Sequence, residues 1–354
     1  MTKLGAGGIS TLTVNIQSII DREKVNFDYL VFEDKSTFYE DKVYKMGGNK
    51  KIVNVEAYHN KLLQYWAKYK LTKKLINKEK YDIVHVDAST PMDVVIGFAA
   101  KHAGARVRII HSHIAGDNKH SIIRTIYMNI CRSFMPFVFT DFFSISKSAA
   151  LFMFPRNIVK RNNYSIIKNG IVAEKYKYIE ETRLKLRNEL GISDSFVMGH
   201  IGRFSAEKNH DFILDVFKKI HEINVKSKLL LIGDGLLRNK IEDKIHKLGI
   251  EEDVILYGTS QEVPSMLMAM DSFLFPSKYE GLGIAAIEAQ CSGLPTFCSD
   301  GIPEETNISD LFIRVNGYSV NNWVDAILEF DYNRRRESMH PYSESWDIHH
   351  PIIL

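Results

Sequence analysis

The sequence predicts an α/β protein built as two Rossmann-like domains facing a cleft. Three observations lead there. The chain has 354 residues, more than one hydrophobic core usually serves. Strand-like and helix-like patterns alternate along it in two successive series, which is the rhythm of βαβ units on parallel sheets. Between the two series, Val172 to Glu181 is polar and charged without a clear period, and reads as a hinge. The division therefore runs between residues 1–171 and 172–354. Open parallel sheets bind ligands beyond the carboxyl ends of their strands. The loops after Ile110, Ile201, Ile232, Tyr257 and Phe275 are thus the places to look for chemistry.

The first series starts with Gly5-Ala-Gly-Gly8, opening a helix from Ile9 to Ile20 with Leu12, Ile16 and Ile19 on one face. At most four residues precede these glycines, fewer than an ordinary strand needs, so the first strand is expected to be short or missing. Val25–Phe32 reads as a strand, Phe38–Met46 as a helix, Lys51–Val55 as a strand and Asn60–Lys80 as a long helix. The strand Asp82–Val86 precedes a helix from Pro91 to Ala103, with proline at the early position it favours. The strand Ala105–Ile110 leads into a polar loop, His111-Ser-His-Ile-Ala-Gly116. An amphipathic helix from about Ser121 to Met135, a strand at Phe142–Ile145, a helix from Lys147 and a strand at Ser165–Lys168 complete the half.

The second series begins with the strand Phe196–Ile201. The loop Gly202–Asn209, a helix to Ile223 and the strand Lys228–Ile232 follow. Gly233-Asp-Gly235 leads to a helix ending at Leu248, then a strand at Val254–Tyr257 and a short helix at Val263–Ala269. Phe273-Leu-Phe-Pro-Ser277 is a buried strand with its turn, followed by the helix carrying Glu288. Pro295–Cys298 and Leu311–Val315 are expected strands and Trp323–Phe330 a final helix. Tyr342–Leu354 is irregular, with Pro351 opposing a long terminal helix.

Composition excludes several function classes. Hydrophobic residues make up 45% and charged residues 25%, ordinary for a soluble globular protein. A net charge of +3 gives no bulk affinity for nucleic acid. Cys131, Cys291 and Cys298 are odd in number and form no CxxC pair, so neither a disulfide framework nor a cysteine zinc site is expected. Neither a secretory signal nor an apolar run of membrane-spanning length is evident.

The chemistry concentrates in Glu280-Gly-Leu-Gly-Ile-Ala-Ala-Ile-Glu288. A Gly-rich loop opening a helix presents unpaired N–H groups and a positive dipole end to an anion. Carboxylates beside such an anion site suit a ligand that is both phosphate and polyol, as a nucleotide sugar is. Glu280 and Glu288 are read as acceptors for hydroxyls rather than as an acid/base pair flanking one bond. Glu288 sits among Ala285, Ala286, Ile287 and Ala289, and a carboxylate in apolar surroundings needs a partner. In Gly202-Arg-Phe-Ser-Ala-Glu-Lys-Asn209, Arg203 and Lys208 suit a diphosphate whose charge grows as it leaves. The plain alternative is a solvated loop with an Arg–Glu pair. His111 and His113 are expected to follow their strand and face the cleft. Two histidines two apart also suit a metal, but no third ligand of sensible spacing is evident, and hydrogen bonding to hydroxyl or phosphate is preferred. Gly233-Asp-Gly235 reads as a turn with Asp234 as helix cap. The helices Asn60–Lys80 and Ser121–Met135 combine basic and aromatic or aliphatic residues. The first is read as an ordinary solvated face, the second as a contact for a membrane or lipid acceptor.

These residues resemble the retaining group 1 (family 4) glycosyltransferases with the GT-B fold, of the bacterial capsular and exopolysaccharide type. The resemblance rests on Gly202-Arg203…Lys208-Asn-His210, Gly233-Asp-Gly235, Phe275-Pro-Ser277, and Glu280-Gly-x-Gly-x-x-x-x-Glu288-Ala289…Gly293-Leu-Pro295. Gly7-Gly8, Tyr81-Asp-Ile-Val-His85, Ile110-His-Ser-His113, Ser144-Ile-Ser146 and Ile167-Lys-Asn-Gly170 support it in the first half. It implies that Arg203 and Lys208 bind the donor diphosphate, Glu280 the donor sugar and Glu288 the ribose. The backbone of Gly281, Leu282 and Gly283 would lie against the donor, Gly8 would help form the first-domain side of the site, and His113 (with His111 in reserve) would stand near the reacting sugar. It also implies front-face attack with retention, a UDP-sugar donor, no cofactor and no metal. The partners implied are a nucleotide sugar, a lipid-linked glycan acceptor and an anionic membrane surface, with no nucleic acid, in a cytoplasmic protein peripheral at the inner membrane face. Against the family pattern, the first strand and the last helix look truncated: Ser345-Trp-Asp-Ile348 resembles the approach to that helix, and His349-His-Pro-Ile-Ile-Leu354 takes its place. The alternatives are a nucleotide-sugar epimerase of the same architecture and an inactive truncated remnant.

Overall fold

The computed structural model describes residues 4–5, 7–34, 38–114, 121–167 and 170–332. The expected strand beyond Ile167, the end of the His111–Gly116 loop and everything expected of Tyr342–Leu354 lie outside the described residues. The chain divides into two compact units between Gly170 and Ile171.

In the first unit the described strands form two parallel sheets. Strands β1 (Asp28–Val31) and β2 (Asn49–Ile52) pair with each other. Strands β3 (Ile83–Ala88), β4 (Val107–Ser112), β5 (Asp141–Ser144) and β6 (Ser165–Ile166) form a second sheet in that order. One face of it packs Val86, Ala88, Ile110 and Phe142 against Val138 and Met153 in the core. Alternation along the strands sends His85, Asp87, His111 and Phe143 to the opposite face. The long helix Lys61–Glu79 starts at Asn60, whose side chain accepts from Leu62 N, and stops at Lys80 in the left-handed conformation (φ 59°).

The opening helix, Gly8–Ile19, buries a different face from the one its aliphatic spacing predicts. Ser10, Leu12, Thr13, Val14 and Gln17 are buried, whereas Ile16 and Ile19 are only half-buried. Tyr29 on β1 explains this: its hydroxyl lies 2.8 Å from Gln17 Oε1 and 3.2 Å from Thr13 O, so the polar groups are satisfied inside.

The second unit is a six-stranded parallel sheet in the order β12-β11-β10-β7-β8-β9. Its strands are β7 (Phe196–Ile201), β8 (Ser227–Ile232), β9 (Val254–Gly258), β10 (Ser272–Phe275), β11 (Thr296–Cys298) and β12 (Phe312–Arg314). The chain winds outward from β7 to β9, returns to the other side of β7 as β10, and winds outward again. The switch point between β7 and β10 is where such a sheet opens a crevice for ligands. It is flanked by the loops Gly202–Asn209 and Pro276–Gly283, the two segments that carry most of the predicted chemistry.

Two expectations for this unit change. The supposed hinge at Val172–Glu181 is packed: a 3-10 turn spans Ala173–Tyr176, with Ala173 and Tyr176 buried, and it contacts the helix Ile284–Cys291. The helix Glu180–Glu189, unrecognised in the sequence, is polar along most of its length. Two arginines hold it: Arg183 Nη2 lies 2.5 Å from Asp271 Oδ1 and Arg187 Nη1 3.1 Å from Asp271 Oδ2. Asp271 also accepts from Val197 N at 2.7 Å, tying this helix to β7.

Candidate active site

The loop after β7 and the loop after β10 are stitched together by backbone. Lys278 N donates to Glu207 O at 2.8 Å, and Glu280 N is held from the loop after β11, donating to Gly301 O at 3.2 Å. Asn209 takes the left-handed conformation (φ 58°) and its amide reaches Pro276 O at 3.4 Å. This brings Lys208 onto Glu280, with Nζ 2.5 Å from Oε1 and 5.1 Å from the centre of the Phe275 ring. Both side chains are largely withdrawn from solvent, 18% and 13% exposed, so the ion pair is better shielded than a surface pair. Arg203, in contrast, is exposed and makes no ion pair among the described residues.

Gly233 and Gly235 make this crossing possible. A Cβ on Gly233 (φ +141°) would stand 1.9 Å from Gly202 O, and one on Gly235 2.5 Å from Phe204 O. The Gly233-Asp-Gly235 turn therefore exists to let the loop after β8 pass against the loop after β7. Asp234 is not the helix cap expected of it: the helix Arg238–Leu248 starts from Leu237, and Asp234 instead lies 3.7 Å from Arg238. His210 packs between the rings of Phe204 and His200 and has neither ring nitrogen partnered. Burial pulls its pKa down to about 4, so it is neutral near pH 7.

Gly283, at φ 81°, precedes the helix Ile284–Cys291, and no side chain caps that N-terminus. Leu282 between Gly281 and Gly283 is buried, and its carbonyl accepts from Thr306 Oγ1. Glu288, on the second turn, is 8% exposed, and the partner its apolar surroundings demand is Tyr176, whose hydroxyl donates to Oε1 at 2.6 Å. Burial pushes the Glu288 carboxyl up to about 7, with the Tyr176 hydrogen bond pulling the other way. Tyr176 lies 112 positions away in the supposed hinge, where nothing local marked it.

In the first unit, Gly8 begins its helix with open space around the position of a Cβ. His111 does not lie in a loop. It is the fifth residue of β4, 1% exposed, paired in register with Asp87 of β3. His113 follows the strand end and is also buried, with Nε2 2.9 Å from Asp87 Oδ1 and Nδ1 unpartnered. Burial alone would raise the Asp87 carboxyl. The hydrogen bond from His113 and the neighbouring imidazoles outweigh that and hold it well below the usual range. His85 Nε2 lies 3.2 Å from His111 Nδ1. A third and fourth metal-type group thus stand beside the histidine pair, contrary to the sequence reading. They come from the adjacent strand, where His85-Val-Asp87 has the spacing of one face. Burial lowers the pKa of both His85 and His111.

Two α/β units on parallel sheets, the second with a loaded switch point, define a two-domain glycosyltransferase architecture of the GT-B kind. Residues 182–344 match the family Glycosyl transferases group 1. The chain is similar to EpsF of Bacillus subtilis (strain 168), which carries a glycosyltransferase name: 28% identity over 315 residues, 87% of this chain and 79% of that protein. It is 30% identical over 261 residues to the UDP-Gal:alpha-D-GlcNAc-diphosphoundecaprenol alpha-1,3-galactosyltransferase of Escherichia coli, covering 68% of this chain and 67% of that one. Its fold matches HepE of Anabaena, solved with UDP and glucose, at a TM-score of 0.77 and 17% identity, over 98% of this chain and 94% of that one. The chain belongs to the group 1 glycosyltransferases, and it is a glycosyltransferase. None of its described helices is long and apolar enough to cross a membrane.

Proposed function

We propose that this enzyme is a retaining transferase that moves a sugar from UDP to a lipid-linked saccharide during surface polysaccharide synthesis. The observation that carries the reading is the Lys208–Glu280 pair at the switch point, beside an uncapped helix N-terminus. Without donor the two charges neutralise each other. An arriving diphosphate competes for Lys208, and the released Glu280 accepts hydrogen bonds from the sugar hydroxyls. Arg203, exposed and without an ion pair among the described residues, adds a second cation for the diphosphate. The backbone from Gly281 to Gly283 lies along the donor and Glu288 takes the ribose. The acceptor oxygen bonds to the anomeric carbon on the face from which the phosphate oxygen departs. The acceptor proton passes to that phosphate oxygen, whose growing charge Lys208 and Arg203 stabilise. No metal or cofactor enters the transfer. The uridine reading leans on the HepE complex and on the E. coli relative's donor, and the lipid-linked acceptor on the latter's substrate name.

The same proposal places the first unit on the anionic inner face of the membrane. In the helix Ile122–Val138 the stripe Ile122, Ile126, Ile130 and Phe134 is exposed, as are Ile123 and Phe137. This is the face of a helix that lies in a bilayer interface. Arg132 turns inward to the Phe152 carbonyl, so Arg124 and the lysines of Lys61–Glu79 would supply the attraction to acidic lipid.

The test is to incubate the full chain with cell membranes and labelled UDP-sugars. Transfer to an extractable lipid, with the α-anomer of an α-donor retained in the product by NMR, is expected. Neither transfer nor donor hydrolysis with any UDP-sugar would sink the proposal. A cooperative thermal transition that rises with added UDP would set aside the inactive-remnant alternative. Membership in a glycosyltransferase family already leaves the epimerase alternative without support.

A further inference from the structure

We propose that His85, Asp87 and His111 form a binding site for one divalent cation of the zinc class, on the non-core face of the β3–β4 sheet. Their ligand atoms (one from each side chain) lie within 4.8 Å of one another. His85 Nε2 is 3.2 Å from His111 Nδ1 and 3.8 Å from Asp87 Oδ1. Ligands around a tetrahedral zinc, at bond lengths of about 2.0–2.2 Å, stand roughly 3.3–3.5 Å apart, so small side-chain shifts complete the set.

The register builds this arrangement. Asp87 pairs with His111 across the two strands, and His85 is two residues back on the same face of β3. Phe143 of β5, paired with His111, walls the site, its ring 6.1 Å from each of the two histidine rings. Within this cluster His113 Nε2 bonds Asp87, and its buried Nδ1 has no partner among the described residues. It thereby supplies the outer carboxylate–imidazole contact that orients metal ligands. The His85 side chain is 30% exposed, against 6% for Asp87, so entry and a fourth, water ligand come from its side. Two imidazoles and one carboxylate suit zinc, cobalt or nickel rather than magnesium or calcium, which prefer all-oxygen shells.

Metal binding is measured directly, and transfer is not the readout. The full chain is titrated with zinc chloride by calorimetry and with cobalt chloride by visible absorbance. One equivalent is expected to bind with a dissociation constant in the micromolar range or below. Bound cobalt is expected to give the intense visible bands of a four-coordinate site. His85→Ala should raise the zinc dissociation constant at least tenfold, and Asp87→Asn should do the same. A zinc isotherm unchanged by both substitutions overturns the proposal. Should the variants fail to fold, the cobalt spectrum of the unaltered protein decides, and the weak bands of six-coordinate cobalt overturn it.

Discussion

Glu288→Gln is expected to make the protein more stable above neutral pH and to weaken its hold on UDP. The folded Glu288 carboxyl titrates near pH 7 because burial opposes its charge, whereas the unfolded one titrates at the ordinary value of 4.5. Below pH 4.5 both states hold the proton, and Glu288 makes no difference to stability through its titration. As pH rises from 4.5 through 7 the unfolded state loses its proton first, so the folded state becomes progressively less favoured. Above pH 7 the penalty levels off at about 3 kcal/mol, from about 1.4 kcal/mol per pKa unit. Glutamine keeps the shape of the protonated acid and still accepts from Tyr176, without that penalty.

The assay is thermal unfolding of the full chain and the variant across pH 4 to 9, reading the gap between them at each pH. Titrations elsewhere in the chain cancel in that gap. It should be small at pH 4.5 and open to roughly 6–12 °C in favour of the variant above pH 7, at about 2–4 °C per kcal/mol for a unit of this size. Parallel curves would refute the reasoning that Glu288 is a buried, poorly compensated acid. Because a hydrogen bond to a charged group contributes about 1.5–3 kcal/mol, UDP affinity at pH 8 should fall at least tenfold. A stabilised variant with unchanged UDP affinity would leave the electrostatics standing and remove the ribose role.

Three other perturbations probe separate parts of the argument. Lys208→Met should weaken UDP binding by one to two orders of magnitude, and isothermal titration that finds equal affinity would remove Lys208 from the donor site. Asp271→Ala strands Arg183, Arg187 and the Val197 amide, so urea unfolding should show a loss of about 3 kcal/mol or more, as for other broken buried pairs; a loss under 1 kcal/mol would mean the helix Glu180–Glu189 is held by something else. Ile122→Ser with Ile126→Ser should lower sedimentation with phosphatidylglycerol vesicles at least tenfold, since withdrawing one isoleucine from water contributes roughly 1.5–3 kcal/mol; unchanged sedimentation would take this helix out of the membrane contact.

The parts of this molecule that were legible in its sequence are those whose physics is local. The strand Phe196–Ile201 and the helix Val263–Ala269 lie where the alternation of patterns puts them, because a buried strand and a short apolar helix each announce themselves within a few residues. The glycines at 233 and 235 were visible as a turn, but the reason for them was not. It is a backbone crossing 31 residues away in sequence, between Gly233 and Gly202. The helix Glu180–Glu189 escaped notice because its polar composition imitates a linker, and its anchors are arginines rather than an apolar stripe. The buried face of the opening helix departs from its aliphatic spacing for a related reason: a tyrosine hydroxyl on another element makes Gln17 and Thr13 acceptable inside.

The site follows the same division. Glu288 could be recognised from sequence as a carboxylate in need of a partner, since its neighbours at 285, 286, 287 and 289 are all apolar. Tyr176 could not be recognised as that partner, and neither could Asp87 as the partner of His113, because each pair joins elements distant in sequence that only the tertiary fold brings together. Such partners decide the chemistry. Burial leaves Glu288 titrating near neutrality even against the Tyr176 hydrogen bond, while Asp87 engages Nε2 of His113 and leaves Nδ1 without a partner among the described residues. A buried group that the fold leaves incompletely satisfied has a cost in stability, and it persists where something outside the chain completes it. Glu288 is such a group in the second unit, and the His85–Asp87–His111 cluster with His113 is its counterpart in the first. The two differ in what would complete them: a hydroxyl donor for the lone carboxylate, a cation for the gathered lone pairs. That difference is why the first is assigned to the sugar nucleotide and the second to a metal, and why the ligand of each can be tested with the other left intact.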